Sequence, residues 1–391
     1  MSSKAYINKA VLRWARESAK FSLKDASAKM KVSEERMSKW ETDSSEEYPT
    51  IKQAERLAKI YKRPFAVLFL PSVPKDFQVL RDFRSMNRSE FSTSLVFMTR
   101  EILEKQGWLR EYLIEAGSPK RVFAGKFSVN DSPENVASDI RATLEINKQF
   151  YKDNALAYWT AAAESKGIFV SLSSFIHTRL KLDPDEFKGF AVSDDYAPFI
   201  FVNANDWMNS KLFTLVHELA HIWINESGVS DKTDITLTHS KSANPIETFC
   251  NRVAANALLP NEEITKCFTE SEPADIEDFE NLSKVFGVSC LTLLIRSFEL
   301  GFLSAASFST LKLESEFRFT EYVKRMELEK EKMKKSEGGP SPYLLRARRN
   351  GKAFSSIVLD GYRGGAISGA EASRLLSVKM NKFQNLEKYV Y

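Results

Sequence analysis

Leu215-Val216-His217-Glu218-Leu219-Ala220-His221-Ile222-Trp223 is the stretch that decides what the centre of this chain is built to hold. Two histidines four residues apart on a helix lie one above the other on one face, so both imidazoles can reach a single metal ion. Glu218 is one residue on from His217 and about 100° around the helix, placed to touch a metal-bound water rather than the metal. This is the H-E-x-x-H pattern, in which the histidines are zinc ligands and the glutamate is a general base. The plainer alternative is a buried helix that happens to contain two histidines. Half of the chain's four histidines fall here, and the apolar residues around them fit a buried helix that holds a metal site.

The chain of 391 residues is long enough for two or three domains, and its 43% hydrophobic and 28% charged content is that of a soluble globular protein. There is no apolar run long enough to span a bilayer and no signal-peptide pattern at the N-terminus, which predicts a cytoplasmic protein with no membrane partner. Cys250, Cys267 and Cys290 show no C-x-x-C spacing and leave an odd thiol in any pairing, as expected of buried thiols in a reducing compartment. The net charge of +4 is unevenly spread: residues 1–75 hold 16 Lys or Arg against 9 Asp or Glu, and the remainder 40 against 43. A basic segment on a near-neutral body points to a polyanionic partner for that segment.

Residues 10–69 read as short helices separated by small breaks. Ser22 with Asp25 and Thr50 with Gln53 have capping-box spacing, and Ser33 is a third N-cap followed by Glu34 and Glu35 in the first turn. The run from Ser22-Leu23-Lys24-Asp25 through Val32-Ser33 to Met37-Ser38-Lys39-Trp40-Glu41 is therefore helix, tight turn, helix. Here the chain resembles the Cro/repressor-type helix-turn-helix family, and the similarity continues through Pro49-Thr50, Leu57-Ala58-Lys59-Ile60-Tyr61 and Pro64–Phe69. The resemblance implies that the helix from Ser33 to Trp40 enters the major groove of a double-stranded DNA operator, with Glu35, Arg36, Ser38 and Lys39 as the candidate contacts, commonly in a homodimer. Two departures stand out: Lys31 occupies a turn position where that family usually has glycine, and Ala26 replaces a common core leucine. A small helical domain that binds protein instead is the alternative.

Pro71 and Pro74 mark a hinge. A helical stretch follows from about Ser89 to Ala116, and Ser132-Pro133 starts another helix running towards Leu144. Both read as scaffold. Gly167–Val170, Gly189–Val192 and Phe199–Asn203 are short apolar runs that predict a small sheet before the metal helix, whose edge could hold an extended peptide by strand addition.

Two histidines leave a zinc ion one protein ligand short of a catalytic set. His239 and Glu247 are the downstream candidates. Glu247 opens a periodic segment, Ile246 to Pro260, with Phe249, Val253, Ala254 and Ala257 on one buried face. With Asn203, Phe213-Thr214-Leu215, Cys250-Asn251, Leu258-Leu259-Pro260, Phe286-Gly287-Val288-Ser289 and Leu300-Gly301, the chain resembles the ImmA/IrrE family of metallo-endopeptidases. The resemblance implies His217, His221 and Glu247 as zinc ligands and Glu218 as general base. Asp82-Phe83-Arg84 and the repressor-like segment resemble the fused members of that family. His239 is left as a candidate oxyanion donor, and Asn251 as a residue that orients a ligand. Manganese or iron also suits a two-histidine, one-carboxylate set.

Beyond residue 302, charges of both signs crowd a helical stretch from Glu321 to Lys335, a loop follows at 336–342, Arg346, Arg348, Arg349 and Lys352 form a basic cluster, and Ile367 to Leu386 reads as a compact helical pair. No repeat is visible. The expected architecture is multidomain and mainly α: an all-α helix-turn-helix domain over residues 1–75, a helical linker over 76–150, a zincin-like peptidase domain with a small β-sheet over 151–302, and a helical region over 303–391. Family members cleave transcriptional repressors, so the implied partner is a regulatory protein substrate. The alternative is a repressor or antitoxin that binds DNA and a cognate toxin, with a metal site that is structural or inactive.

Overall fold

The computed structural model describes residues 3–74, 92–147, 154–177, 180–227, 229–230, 244–271, 273–333 and 340–391. Its strands are β1 (Phe169–Ser173), β2 (Phe175–His177), β3 (Leu180–Lys181), β4 (Gly189–Val192), β5 (Phe199–Asn203) and β6 (Val229–Ser230). Two compact units are present, residues 1–103 with 175–182 and residues 104–174 with 183–391. Asp82-Phe83-Arg84 lies outside the described residues. Among the described residues, no helix is long and apolar enough to cross a membrane.

The first unit holds α1 (Lys9–Ser18), α2 (Leu23–Met30), α3 (Glu34–Glu41), α4 (Ile51–Ile60), a 3-10 turn at Phe65–Phe69 and the start of α5 (Thr93–Glu115). Asn8, Ser22, Ser33 and Thr50 cap the first four helices with their side-chain oxygens. Thr50 and Gln53 form the full reciprocal box. Ser22 does not: its oxygen takes the Asp25 N–H at 3.0 Å, but the Asp25 carboxylate accepts the Ser22 hydroxyl at 2.6 Å. The spacing alone predicts a box; here the aspartate carboxylate is engaged by the cap hydroxyl instead of the cap N–H. Val11, Leu12, Met30, Met37, Trp40 and Leu57 fill the core between these helices. Through it runs a buried ion pair, in which Arg16 reaches Glu41 at 2.8–3.1 Å. Lys31 ends α2 with φ 59° and ψ 47°, the left-handed conformation that glycine adopts at less cost. The ribbon of β2 with β3 is antiparallel, and Ser94 donates to the Lys181 carbonyl at 3.0 Å.

In the second unit the sheet order is β1-β5-β4-β6. β1 runs parallel to β5, while β4 is antiparallel to both β5 and β6. Every residue of β4 and β5 is buried, so these strands read as unbroken apolar runs rather than alternating ones. Three strands are legible in the sequence; β6 has two residues and carries no periodicity to read. The first strand also sits two residues later than the apolar run suggests, at Phe169–Ser173.

Around the sheet lie α6 (Pro133–Thr143), α7 (Ala155–Ser165), α8 (Met208–Trp223), α9 (Pro245–Leu258), α10 (Asn261–Ser271), α11 (Ile276–Phe286), α12 (Cys290–Glu299) and α13 (Ala305–Met333). α8 packs on β4 and β5 and against α6, α7 and α9. The helix expected from Glu321 begins at Ala305, because Leu311 and Ser315 are buried one turn apart and anchor its first half. The chain closes with α14 (Pro342–Asn350), α15 (Lys352–Arg363), α16 (Gly369–Leu376) and α17 (Phe383–Val390). α14 and α15 cover the outer edge of β1. There the Ser171 hydroxyl donates to the Arg349 carbonyl and Glu164 accepts the Ala353 N–H at 3.2 Å. Gly351 is required at this joint: its φ is 81°, and a Cβ would collide with the Val170 carbonyl.

Candidate metal centre

Twelve consecutive residues of α8, Leu212 to Trp223, are buried. This is what an apolar helix enclosed by a sheet on one side and helices on the others requires. His217 and His221 lie one turn apart on it, with their Nε2 atoms 3.1 Å from each other. α9 brings the third group. Asn244 caps that helix by accepting the Ile246 N–H at 3.0 Å, Pro245 occupies its first position, and Glu247 falls in its first turn. Phe249, Cys250, Val253, Ala254 and Ala257 are buried and fix how α9 lies on α8. Glu247 Oε2 is 3.1 Å from His217 Nε2, and its Oε1 is 3.4 Å from His221 Nε2.

These three residues are the group of potential ligands that converges among the described residues. Their separations test whether an ion fits. A tetrahedral zinc with bonds of about 2.0–2.1 Å to nitrogen and oxygen keeps its donor atoms roughly 3.3 Å apart. Separations of 3.1, 3.1 and 3.4 Å suit that. Burial pushes the Glu247 carboxylate up, yet the hydrogen bonds and charge of His217 and His221 outweigh it and hold its pKa below the ordinary carboxylate range. Burial lowers the pKa of His221, but the adjacent Cys250 and Glu247 outweigh that and place it well above the usual imidazole value. A metal bound here would displace the proton that His221 holds, leaving two neutral nitrogens and an anionic oxygen aimed at one point.

Glu218 is fully buried beside them. Sheet and helix meet closely here: a Cβ at Gly189 would lie 3.2 Å from Glu218 Oε1, 2.8 Å from the Phe201 carbonyl and 2.6 Å from Thr214 Cγ2. Gly189 therefore sets how near β4 comes to the glutamate. Residues 163–298 match the model of the peptidase M78 family, described as the IrrE N-terminal-like domain. The matched stretch contains the whole sheet, α8, α9 and the cluster, and it supports the resemblance to the ImmA/IrrE family over those residues. Peptidase M78 is a metallopeptidase family, which agrees with a metal at this position. No curated protein matches the chain.

The structure brings His217, Glu218, His221 and Glu247 together. His239 lies outside the described residues. Asn251 is buried one turn after Glu247, but its Oδ1 accepts no hydrogen bond among the described residues, so no contact with a ligand residue supports an orienting role. Two neighbours of the site are not singled out as site residues by the sequence. Gly189 is marked only by lying in an apolar run, and Cys250 by falling three residues after Glu247, on the same face of α9.

The four residues singled out for DNA lie on α3. Glu35 and Arg36 are exposed, Ser38 and Lys39 partly so. Arg36 lies over the Trp40 ring at 5.5 Å, and Lys39 bridges Glu35 at 2.9 Å and Glu47 at 3.3 Å.

Proposed function

We propose that this chain is a zinc-dependent endopeptidase that cleaves a regulatory protein, joined to an N-terminal helix-turn-helix that binds operator DNA. The convergence of His217, His221 and Glu247 beside the buried Glu218 carries the first part. Zinc bound by those three residues would polarise the scissile carbonyl and acidify water. Glu218 is the general base of this reading: its carboxylate removes the proton from the attacking water and passes it to the leaving amine. Gly189 leaves room for that carboxylate to face β4, along which an extended peptide would be aligned.

The DNA-binding part rests on α2, the left-handed turn at Lys31 and α3, which presents Arg36 and Ser38 on its outer side. Its operator and any homodimer belong to the same proposal.

A second reading keeps the DNA binding and makes the metal site structural or resting, as in a repressor or antitoxin that engages a cognate toxin. One observation favours it. Gly189 and Phe190, the stretch of β4 nearest Glu218, are paired with Ser230 and Val229 of β6, so the chain itself occupies the edge that a peptide would use. The two readings separate on Glu218→Gln. Zinc-loaded full-length wild type and variant are incubated with repressors of the same helix-turn-helix type, and the products are weighed by mass spectrometry. The peptidase reading expects fragments from wild type and at least 1,000-fold less from the variant; intact repressor in both reactions supports the second reading.

A further inference from the structure

α15, which covers the edge of β1, and the two helices after it repeat the local structure of the first three. With a constant offset of 346 residues, Ser22 falls on Ser368, and both are N-caps that accept the N–H three residues on, at 3.0 and 3.1 Å. Ala26 and Met30 fall on Ala372 and Leu376, all four buried. Lys31 falls on Ser377, and both are left-handed, with φ 59° and 52°. The turn bonds agree too: Lys31 N–H to Ala28 and Val32 N–H to Ser27, against Ser377 N–H to Arg374 and Val378 N–H to Ser373, all at 3.1–3.2 Å. In the helix after the turn, Met37 and Trp40 fall on Phe383 and Leu386, again all buried.

An ion pair ties each motif to the helix before it. Arg16 of α1 reaches Glu41 at 2.8 Å, and Arg363 of α15 reaches Glu387 at 2.8 Å, Glu387 being the offset partner of Glu41. Of the twenty aligned positions from 22 to 41, Ser22, Ala26, Ser27, Val32 and Glu41 keep their residue type, which is why the repeat escapes a reading of the sequence. One difference is local. Lys379 stands where Ser33 caps α3, and the first turn after it, Met380–Lys382, is 3-10.

We propose that α15, α16 and α17 form a helix-turn-helix like that of α1, α2 and α3, and that the outer face of α17 binds duplex DNA. The occupant follows from the chemistry of that face. Among the exposed or half-exposed side chains of the 3-10 turn and α17 are Lys379, Asn381, Lys382, Gln384, Asn385 and Lys388, with Met380 and Tyr389 beside them. Lysine neutralises phosphate or donates to guanine, and asparagine and glutamine pair with adenine. Glu387, the one carboxylate on α17, is turned to Arg363. By contrast, α3 carries Glu34 and Glu35 at its start. Residues 341–391 hold nine Lys or Arg against three Asp or Glu, a balance of +6, so the polyanion-seeking charge lies at both ends of the chain.

The test uses the full-length chain and a 30-base-pair duplex with a random-sequence core, titrated by fluorescence anisotropy from 50 to 200 mM salt. Four proteins are compared: wild type, an α3 variant (Arg36→Ala, Lys39→Ala), an α17 variant (Lys379→Ala, Lys382→Ala, Lys388→Ala), and the two combined. Circular-dichroism melting checks their folds, and Lys382→Glu alone serves as a second, gentler α17 variant. The proposal expects the α17 variant to lose at least 10-fold in affinity, with a shallower salt dependence by about 0.9 in log–log slope for each phosphate contact removed. It also expects the loss on the α3 variant background, which separates this motif from the first. Unchanged affinity and slope in both α17 variants would overturn it.

Discussion

Gly189 illustrates what a single missing methyl group does at this site. Alanine there would press on the Phe201 carbonyl and Thr214, neither of which can move without shifting β5 or α8, and on the carboxylate of Glu218. If the proposed proteolysis holds, Gly189→Ala lowers it roughly 10- to 100-fold by displacing Glu218, while zinc stoichiometry stays at the wild-type value; measured turnover and metal content check this. His217, Glu218 and His221 are legible in the sequence because their geometry follows from helical spacing alone. Glu247 is only half legible. Its periodic helix is visible, but its arrival at the histidines depends on how α9 lies on α8. Gly189 is not legible as part of the site, since a strand-to-helix contact gives it its position, and Cys250 enters the sequence reading only through the family resemblance.

At the scale of elements, the joint of α7, β1 and α15 makes a pH prediction. Glu164 takes the place of an N-cap for α15 by accepting the Ala353 N–H. Burial pushes its carboxyl up to about 7, against the opposing hydrogen bonds of the Ala353, Lys352 and Val170 backbone. A raised pKa in the folded state means that the favourable contribution is complete below pH 4.5 and is lost as the pH climbs through 7. Wild type should therefore lose about 1–3 kcal/mol over that window relative to Glu164→Gln, the lower part of the range reflecting the solvent that still reaches a half-buried side chain. Parallel urea denaturation of the two proteins at pH 4.5 and 7.5 measures it, and equal pH dependence would contradict it. Helix starts are legible for a simple reason: Ser33, Thr50 and Ser132 act within three residues of themselves, and all three cap as their sequence implies. The start of α13 is not, because Leu311 and Ser315 declare a buried face only once α12 is packed against them.

Across the whole molecule, the mainly helical content and small sheet follow from periodicity, and the basic N-terminal segment follows from counting. The basic C-terminal segment is hidden by the acidic middle, and the likeness of its turn to the first one lies in backbone conformation and burial rather than residue identity. The chemistry of the second unit turns on the metal. Metal binding is tested most directly by elemental mass spectrometry of the full-length protein, incubated with zinc and desalted, beside Glu218→Gln, His217→Ala and Glu247→Ala. One zinc per chain is predicted in wild type and Glu218→Gln, with less than a tenth of that in the other two. Wild type that retains no metal, or a His217→Ala protein that retains as much as wild type, would contradict the account.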